Sequence, residues 1–313
     1  MHKKILAFAL ALVGAGASLA AQPLLSPAEL KAQLGQPALR VIDIRDAHAF
    51  ATKHIPGALN APYGQWRGPA SNPGELPPLP QLTALVRSLG LEAGTHAVVV
   101  SSGADATDFG AAARVYWTLK ALGLKELSLL NGGEKAWADA GLPQDAAVAQ
   151  VAPSSYQPQL DASLIAPRDE VARDIQQGSA VLVDARPKDF FEGQTRHVAA
   201  KVPGTLQGAV NVPYSQFFDG ENSGVLQPEK VRAAAASEVD AGKPAVAFCN
   251  TGHWAATDWF ALSEVAGRKN VKLYPGSMVD WTQAPGALPV ANEPGRAKQL
   301  LIDAKFWAAR TFN

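Results

Sequence analysis

The sequence predicts an α/β fold made of two tandem domains, each a parallel β-sheet flanked by helices. Two observations lead to this prediction. The same blocks of sequence occur twice in the same order, and in each copy short apolar runs alternate with segments of helical periodicity. Such an alternation predicts parallel strands connected by helices that cover the sheet. Runs that are apolar on both sides of the strand alternation indicate strands buried on both faces.

Four blocks carry the repeat. As first copy and second copy, they are residues 40–50 with 181–191, 55–66 with 206–217, 96–103 with 244–252, and 130–137 with 274–281. Within them Asp43 matches Asp184, Arg45 matches Arg186, and Trp137 matches Trp281. Four matched blocks in one order indicate a duplicated domain. The two tryptophans, each one turn into a helix that follows a glycine turn, are predicted core residues.

Each copy contains the same predicted elements. The predicted strands are residues 41–44, 97–100 and 127–130 in the first copy and 181–184, 245–248 and 271–274 in the second. The predicted helices are residues 26–34 and 110–122 in the first copy and 166–178 and 255–266 in the second. We therefore assign residues 24–145 to a first domain, 146–163 to a linker without periodicity, and 164–313 to a second domain.

The first residues have the layout of a secretory signal peptide. Lys3 and Lys4 precede an apolar run from Ile5 to Val13, and small residues follow. This run is too short for a mature membrane span, which disfavours the alternative of an uncleaved anchor. We predict that residues 1–21 are a signal peptide, cleaved after Ala20 or Ala21. The mature protein is then expected in the periplasm without stable membrane association.

Charge and histidine spacing limit the classes of partner. The formal net charge is zero, and loss of the two amino-terminal lysines leaves it slightly negative. This balance argues against nucleic acid or an anionic membrane surface as a partner. The histidines show no ligand spacing, so we predict no metal site and no cofactor.

Cys249 is the one cysteine of the chain, and it directly follows the predicted strand 245–248. A lone thiol in an oxidising compartment is a hazard unless it is buried or used. Ligands of open α/β sheets bind at the carboxyl ends of strands, so this position favours a reactive thiol over a merely buried one. The matching position of the first copy is Ser101. We therefore predict a catalytic second domain, with Cys249 as nucleophile, and a supporting first domain.

The residues after the cysteine predict a loop that binds an anion. Asn250, Thr251, Gly252, His253 and Trp254 form a segment short enough to curl around the sulfur, with backbone N–H groups pointing inward. The following helix adds the positive end of its dipole, and both effects favour thiolate over thiol. For His253 two roles stay open: it tunes the thiolate or receives the acceptor, or its ring faces solvent.

On these motifs the chain resembles the tandem-domain sulfurtransferases of the rhodanese family. The features are the repeated strand-end blocks, the segment CNTGHW at 249–254, and the blocks LNGGEKAW and YPGSMVDW. The resemblance implies transfer of a sulfane sulfur from thiosulfate to cyanide or a thiol acceptor through a Cys249 persulfide. Small-molecule donor and acceptor are then the partners, and any protein acceptor is unknown. A 3-mercaptopyruvate sulfurtransferase and a non-enzymatic persulfide carrier or binding module are the alternatives.

Departures from the family pattern leave the substrate open. Asn250 and Thr251 are neutral where thiosulfate-specific members often carry cations, and Phe190 stands where members of both kinds tend to have a substrate-binding arginine. Arg196 and Lys201 are the replacements we predict for substrate binding, with a solvated loop charge as the alternative for Arg196. A phosphatase of the same fold would need an arginine at the position of Ala255 and a longer loop, which argues against that chemistry.

Overall fold

The computed structural model describes residues 21–312, so the predicted signal peptide lies outside the described residues apart from Ala21. The first sheet has five parallel strands in the order β1-β5-β4-β2-β3. They are β1 Leu24–Leu25, β2 Leu39–Asp43, β3 Leu59–Asn60, β4 His96–Val100 and β5 Leu127–Leu130. The second has four parallel strands in the order β7-β6-β8-β9. They are β6 Val181–Asp184, β7 Val210–Asn211, β8 Ala245–Phe248 and β9 Val271–Leu273.

Helices cover the sheets. In the first half they are α1 Pro27–Gln33, α2 Ala47–Thr52, α3 Leu79–Ser88, α4 Ala106–Ala121 and α5 Gly133–Asp139. In the second half they are α6 Arg168–Gln177, α7 Lys188–Phe191, α8 Pro228–Ser237, α9 Trp254–Phe260, α10 Ser277–Thr282 and α11 Arg296–Phe312. The predicted α/β fold with two parallel sheets flanked by helices is confirmed.

Two predicted helices differ from the structure in informative ways. Helix α4 begins four residues before the predicted residue 110, because the Asp105 side chain caps it by accepting from the Asp108 N–H. The helix predicted at 255–266 is α-helical only to Phe260 and continues as a π-helical turn over Ala261–Val265. The apolar periodicity of the sequence signals neither the cap nor the change of helix type.

The duplication is visible in the core of each domain. Trp137 and Trp281 are both buried, which confirms the prediction that they are core residues. The Trp137 indole donates to the Pro143 carbonyl and the Trp281 indole to the Pro289 carbonyl. Each indole therefore ties its own helix to the segment that follows that helix.

Helices α4 and α9 pack against each other and join the domains. Aromatic rings meet edge to face across this interface, with centroids 5.4 Å apart for Phe109 and Phe218 and 5.1 Å apart for Tyr116 and Phe260. Glu264 accepts from Lys120 and from the Tyr116 hydroxyl at its edge. Because α9 begins where the cysteine loop ends, this packing presses the loop against the first domain.

No helix within residues 21–312 is long and apolar enough to cross a membrane. Across the same residues, no group of three or more His, Cys, Asp or Glu side chains is placed to hold a metal ion.

Candidate active site

Cys249 lies at the carboxyl end of β8, in the middle of the second sheet, and its exposed fraction is 1%. Its carbonyl accepts from the Met278 N–H at 3.1 Å. In the first domain the Ser101 carbonyl accepts from the Glu134 N–H at 2.9 Å. The two positions are therefore equivalent in three dimensions, and the thiol exists in one domain only.

The backbone N–H groups of the loop fall into two sets. Those of Cys249 and Gly252 both donate to the Ser277 hydroxyl oxygen, at 3.0 and 3.1 Å. The N–H groups of the four other predicted cradle residues have no acceptor among the described residues; they belong to Asn250, Thr251, His253 and Trp254. Unpartnered donors beside a buried sulfur are what an anionic sulfur species needs for stabilisation.

Ser277 was missed by the sequence reasoning. It is fully buried, its hydroxyl donates to the Tyr274 carbonyl, and its φ is +53°, in the left-handed region that favours glycine. The matching position of the first domain is Gly133, with φ +55°. The cysteine domain thus keeps a strained serine where its partner domain has glycine, and the hydroxyl organises the loop. The sequence signal that could have found it is a serine directly after the shared glycine Gly276, where the first copy has Gly133.

The first domain supplies two arginines to the loop, which the sequence reasoning also missed. Arg114 of α4 donates to the Gly252 carbonyl at 3.1 Å and to the Gly74 carbonyl at 2.8 Å. Arg67 donates to the Thr251 carbonyl at 2.8 Å. Burial, followed by the positive charge of Arg67, lowers the pKa of Arg114 to about 9. Contacts between separate domains leave no local pattern in a sequence.

His253 faces the first domain. Its Nδ1 lies 2.8 Å from the Tyr63 hydroxyl and its Nε2 lies 2.8 Å from the Thr107 carbonyl oxygen. Since a carbonyl only accepts, Nε2 carries the proton and Nδ1 accepts from Tyr63. Burial, with the charge of Arg67 as the next cause, lowers the pKa of His253 to about 4. A neutral ring with both nitrogens engaged is not placed to act as a base for Cys249.

When the pH falls from 6.5 to 4, we expect the free energy of unfolding to decrease less in His253→Gln than in the wild type. In that window the unfolded imidazole binds a proton and the folded one does not, so falling pH favours unfolding. The full shift would correspond to about 3 kcal/mol, and the partial exposure of the ring reduces our expectation to about 2 kcal/mol. Urea unfolding of both proteins at pH 6.5 and pH 4 measures this change in the free energy of unfolding. Equal pH dependence in the two proteins would contradict the assignment.

Other loop side chains contact the second domain. The Arg186 guanidinium is paired with Asp184 at 2.6 Å and reaches the Asn250 side-chain oxygen at 3.4 Å. The Trp254 ring stacks on Tyr214 with centroids 4.9 Å apart and meets Phe190 edge to face at 5.9 Å. Phe190, which replaces the expected arginine, thus forms an aromatic contact beside the loop.

The structure does not bring Arg196 or Lys201 into hydrogen-bond contact with residues 249–254. Arg196 donates to Asp303 of α11 at 2.8 Å and to the Ala200 carbonyl at 2.7 Å, and its guanidinium lies over the Phe306 ring. Lys201 is exposed, and its backbone N–H donates to the Thr282 hydroxyl. Their role in substrate binding stays a prediction.

Asp258 is the buried carboxyl of α9. Neither of its oxygens has a hydrogen-bond partner. Burial, followed by the negative charges of Cys249 and Asp184, raises the pKa of Asp258 well above its ordinary value. Burial therefore favours the uncharged form of this carboxyl over the carboxylate.

Together, the fold and the site fit an enzyme of the group-transfer class: a buried cysteine lies at a strand end beside unpartnered loop amides, and the neighbouring histidine has both ring nitrogens engaged. The rhodanese-like domain family matches residues 26–140 and 167–284, one match in each half. The chain belongs to this family, as a two-domain sulfurtransferase.

Named relatives cover most of the chain. The human 3-mercaptopyruvate sulfurtransferase is 32% identical over 261 residues, 81% of this chain and 85% of the relative. The bovine thiosulfate sulfurtransferase is 31% identical over 260 residues, 78% of this chain and 85% of the relative. A putative thiosulfate sulfurtransferase of Mycolicibacterium smegmatis is 31% identical over 251 residues, 77% of this chain and 87% of the relative. Relatives of both names are therefore similarly distant.

Solved structures show the same fold. The 3-mercaptopyruvate sulfotransferase SseA from Escherichia coli superposes with a TM-score of 0.71 at 23% identity, covering 82% of this chain and 98% of its own. The Tum1 protein from Saccharomyces cerevisiae gives 0.72 at 21% identity, covering 87% of this chain and 99% of its own.

Proposed function

We propose that the protein transfers the sulfane sulfur of thiosulfate to cyanide or to a thiol acceptor through a persulfide on Cys249. The observation that carries this proposal is the set of four unpartnered loop N–H groups beside a buried cysteine. These donors match a sulfur atom that bears negative charge both as thiolate and as persulfide. No step of this reaction requires a metal or an organic cofactor.

The proposed reaction has two displacement steps. The Cys249 thiolate attacks the outer sulfur of thiosulfate, the S–S bond of thiosulfate breaks, and sulfite leaves with the bonding electron pair. Cys249 now carries a persulfide anion. Cyanide attacks the outer sulfur of this persulfide, thiocyanate leaves, and the Cys249 thiolate is restored. Each step conserves charge, and neither needs an oxidant.

3-Mercaptopyruvate is the alternative donor, favoured by the names of several relatives. Its sulfur would pass to the same thiolate and pyruvate would leave, with the thiol proton transferred to the methylene carbon. We favour thiosulfate because the two guanidinium groups that contact the loop have no carboxylate partner among the described residues. Thiosulfate is a dianion, whereas 3-mercaptopyruvate carries one carboxylate.

Cys249→Ser is expected to abolish thiocyanate formation because serine supplies no comparable nucleophile at neutral pH. The assay follows thiocyanate from cyanide with either donor, and the faster donor of the wild type decides between the two substrates. Ser101→Ala, at the matching position of the first domain, is the control and should retain full turnover. A 32 Da adduct on Cys249 without turnover would instead identify a carrier. Absence of both adduct and turnover would contradict the proposed reaction.

We further propose that the chain is exported to the periplasm and processed after Ala20 or Ala21. Support comes from the two lysines, the short apolar run and the small residues that follow it. The intact mass of protein recovered from a periplasmic fraction tests this, and a full-length mass in the cytosolic fraction alone would contradict it.

A further inference from the structure

Beside the cysteine loop, Arg67 has one guanidinium nitrogen, Nη1, without a hydrogen-bond partner in the described part of the chain. It follows the 3₁₀ turn Tyr63–Trp66, its Nη2 donates to the Thr251 carbonyl, and its guanidinium lies 5.3 Å from the centroid of the Tyr63 ring. Its Nη1 is buried and has no partner among the described residues. An unsatisfied donor on a charged group is costly inside a protein. A site that keeps one is suited to an acceptor that arrives from outside.

We propose that Arg67 of the cysteine-free domain binds the oxyanion group of the sulfur donor and thereby determines specificity for anionic donors. The oxygens of a sulfonate or a carboxylate would accept from the free Nη1, while Nη2 holds the Thr251 carbonyl. The nature of the donor rests on the proposed function. The preference of this position for a negatively charged group is independent of the proposed function.

The cations of the second domain are committed elsewhere. Arg186 uses its guanidinium on Asp184, on the Gly204 carbonyl and on Asn250. Arg196 is engaged by Asp303 and by carbonyls of its own loop. Arg67 has no carboxylate partner among the described residues: its Nη2 donates to the Thr251 carbonyl, and its Nη1 has no partner. Its position therefore compensates for Phe190, the residue found where the family tends to place a substrate-binding arginine.

The surroundings of Arg67 leave its charge uncompensated. The neighbouring Arg114 is fully buried: its terminal nitrogens donate to the Gly252 and Gly74 carbonyls, its Nε has no partner in the described part of the chain, and its charge adds positive potential. His253 is neutral at pH 7, and burial favours the uncharged form of Asp258. An anion that enters this site therefore meets the positive charges of Arg67 and Arg114, whose guanidinium groups contact the loop carbonyls.

The test compares alkylation of Cys249 by iodoacetate and by iodoacetamide, which share size and reactive carbon but differ in charge. In Arg67→Gln we expect the ratio of the iodoacetate rate to the iodoacetamide rate to fall about tenfold, the usual effect of losing a charge-assisted hydrogen bond. General damage to the loop or the thiolate would change both rates equally and leave the ratio constant. An unchanged ratio in a folded Arg67→Gln protein would overturn the proposal.

Arg87→Gln is the matched control. Arg87 also lies in the first domain and also donates to a backbone carbonyl, that of Tyr156 in the linker, but it does not contact the cysteine loop. Its ratio should equal that of the wild type. Arg67→Lys keeps the charge without the planar fork and should give an intermediate ratio. If Arg67→Gln does not fold, Arg67→Lys tests the proposal instead. A wild-type alkylation ratio and a wild-type KM for thiosulfate in Arg67→Lys would then refute the role of the guanidinium.

Donor kinetics give a second readout. A residue that binds the donor before and during attack raises KM when it is removed and leaves kcat nearly unchanged. We expect the KM of Arg67→Gln for thiosulfate to rise about tenfold. Because alkylation requires no sulfur transfer, a protein that fails to turn over thiosulfate but shows the charge effect would retain this inference and lose the proposed function.

Discussion

Replacement of Gly252 by alanine is expected to lower kcat/KM at least a hundredfold and the free energy of unfolding by about 3 kcal/mol. Gly252 has φ +63°, a conformation that costs alanine about 1 to 2 kcal/mol. A Cβ atom at this position would also lie 2.5 Å from the Pro275 carbonyl oxygen and collide with Nη1 of Arg114. The loop would have to move away from both, which displaces the amides beside the sulfur.

Gly208→Ala separates the two contributions. Gly208 has φ +74°, and nothing lies within 4 Å of a Cβ built there. This control carries the conformational cost without the collision, so it should lose only about 1 kcal/mol of unfolding free energy and keep its turnover. Chemical denaturation and the thiocyanate assay measure the two quantities. Similar behaviour of the two variants would show that the close approach of Arg114 and Pro275 is unimportant.

Loss of the Ser277 hydroxyl is the second large effect we expect. Ser277→Ala leaves the N–H groups of Cys249 and Gly252 without an acceptor and retains the unfavourable φ. It should therefore destabilise the protein by about 2 to 4 kcal/mol. Ser277→Gly loses the same two bonds but relieves the backbone, so it should be about 1 kcal/mol more stable than the alanine variant. Both should lose at least tenfold in kcat/KM because the loop is no longer held.

Asn270→Gly is the control for relief of strain alone. Asn270 has φ +57° and precedes β9, at the amino end of the strand and so away from the cysteine loop. This variant should keep full turnover. If Ser277→Gly also kept it, the hydroxyl would have no role in organising the loop.

The fold could be predicted from the sequence because its signals are local and repeated. Strand β8 is apolar throughout, and each copy of the repeat supports the interpretation of the other. The α-to-π change after Phe260 could not be predicted, because no residue type in the sequence marks it.

The candidate site was predictable only where the second domain builds it alone. Cys249 and the five residues after it are consecutive, so their position at a strand end follows from the strand itself. Arg67 and Arg114 lie far away in the sequence, and their contacts with the Thr251 and Gly252 carbonyls depend on how two domains meet. The commitment of Arg196 to Asp303 likewise depends on α11, which no motif announces.

Ser277 and Gly133 occupy matching positions in the two domains, and this difference makes the loss of the thiol from the first domain hard to reverse. Restoring a thiol at position 101 would not restore a second reactive centre, because the opposite residue there has no side chain to accept from the backbone of such a loop. The two domains now differ in role. The second holds the thiol. The first has closely packed glycines at the corresponding place, and its arginines contact the loop of the second domain. To gain a reactive thiol, the first domain would need several substitutions at once, so a single mutation does not undo the difference between the domains.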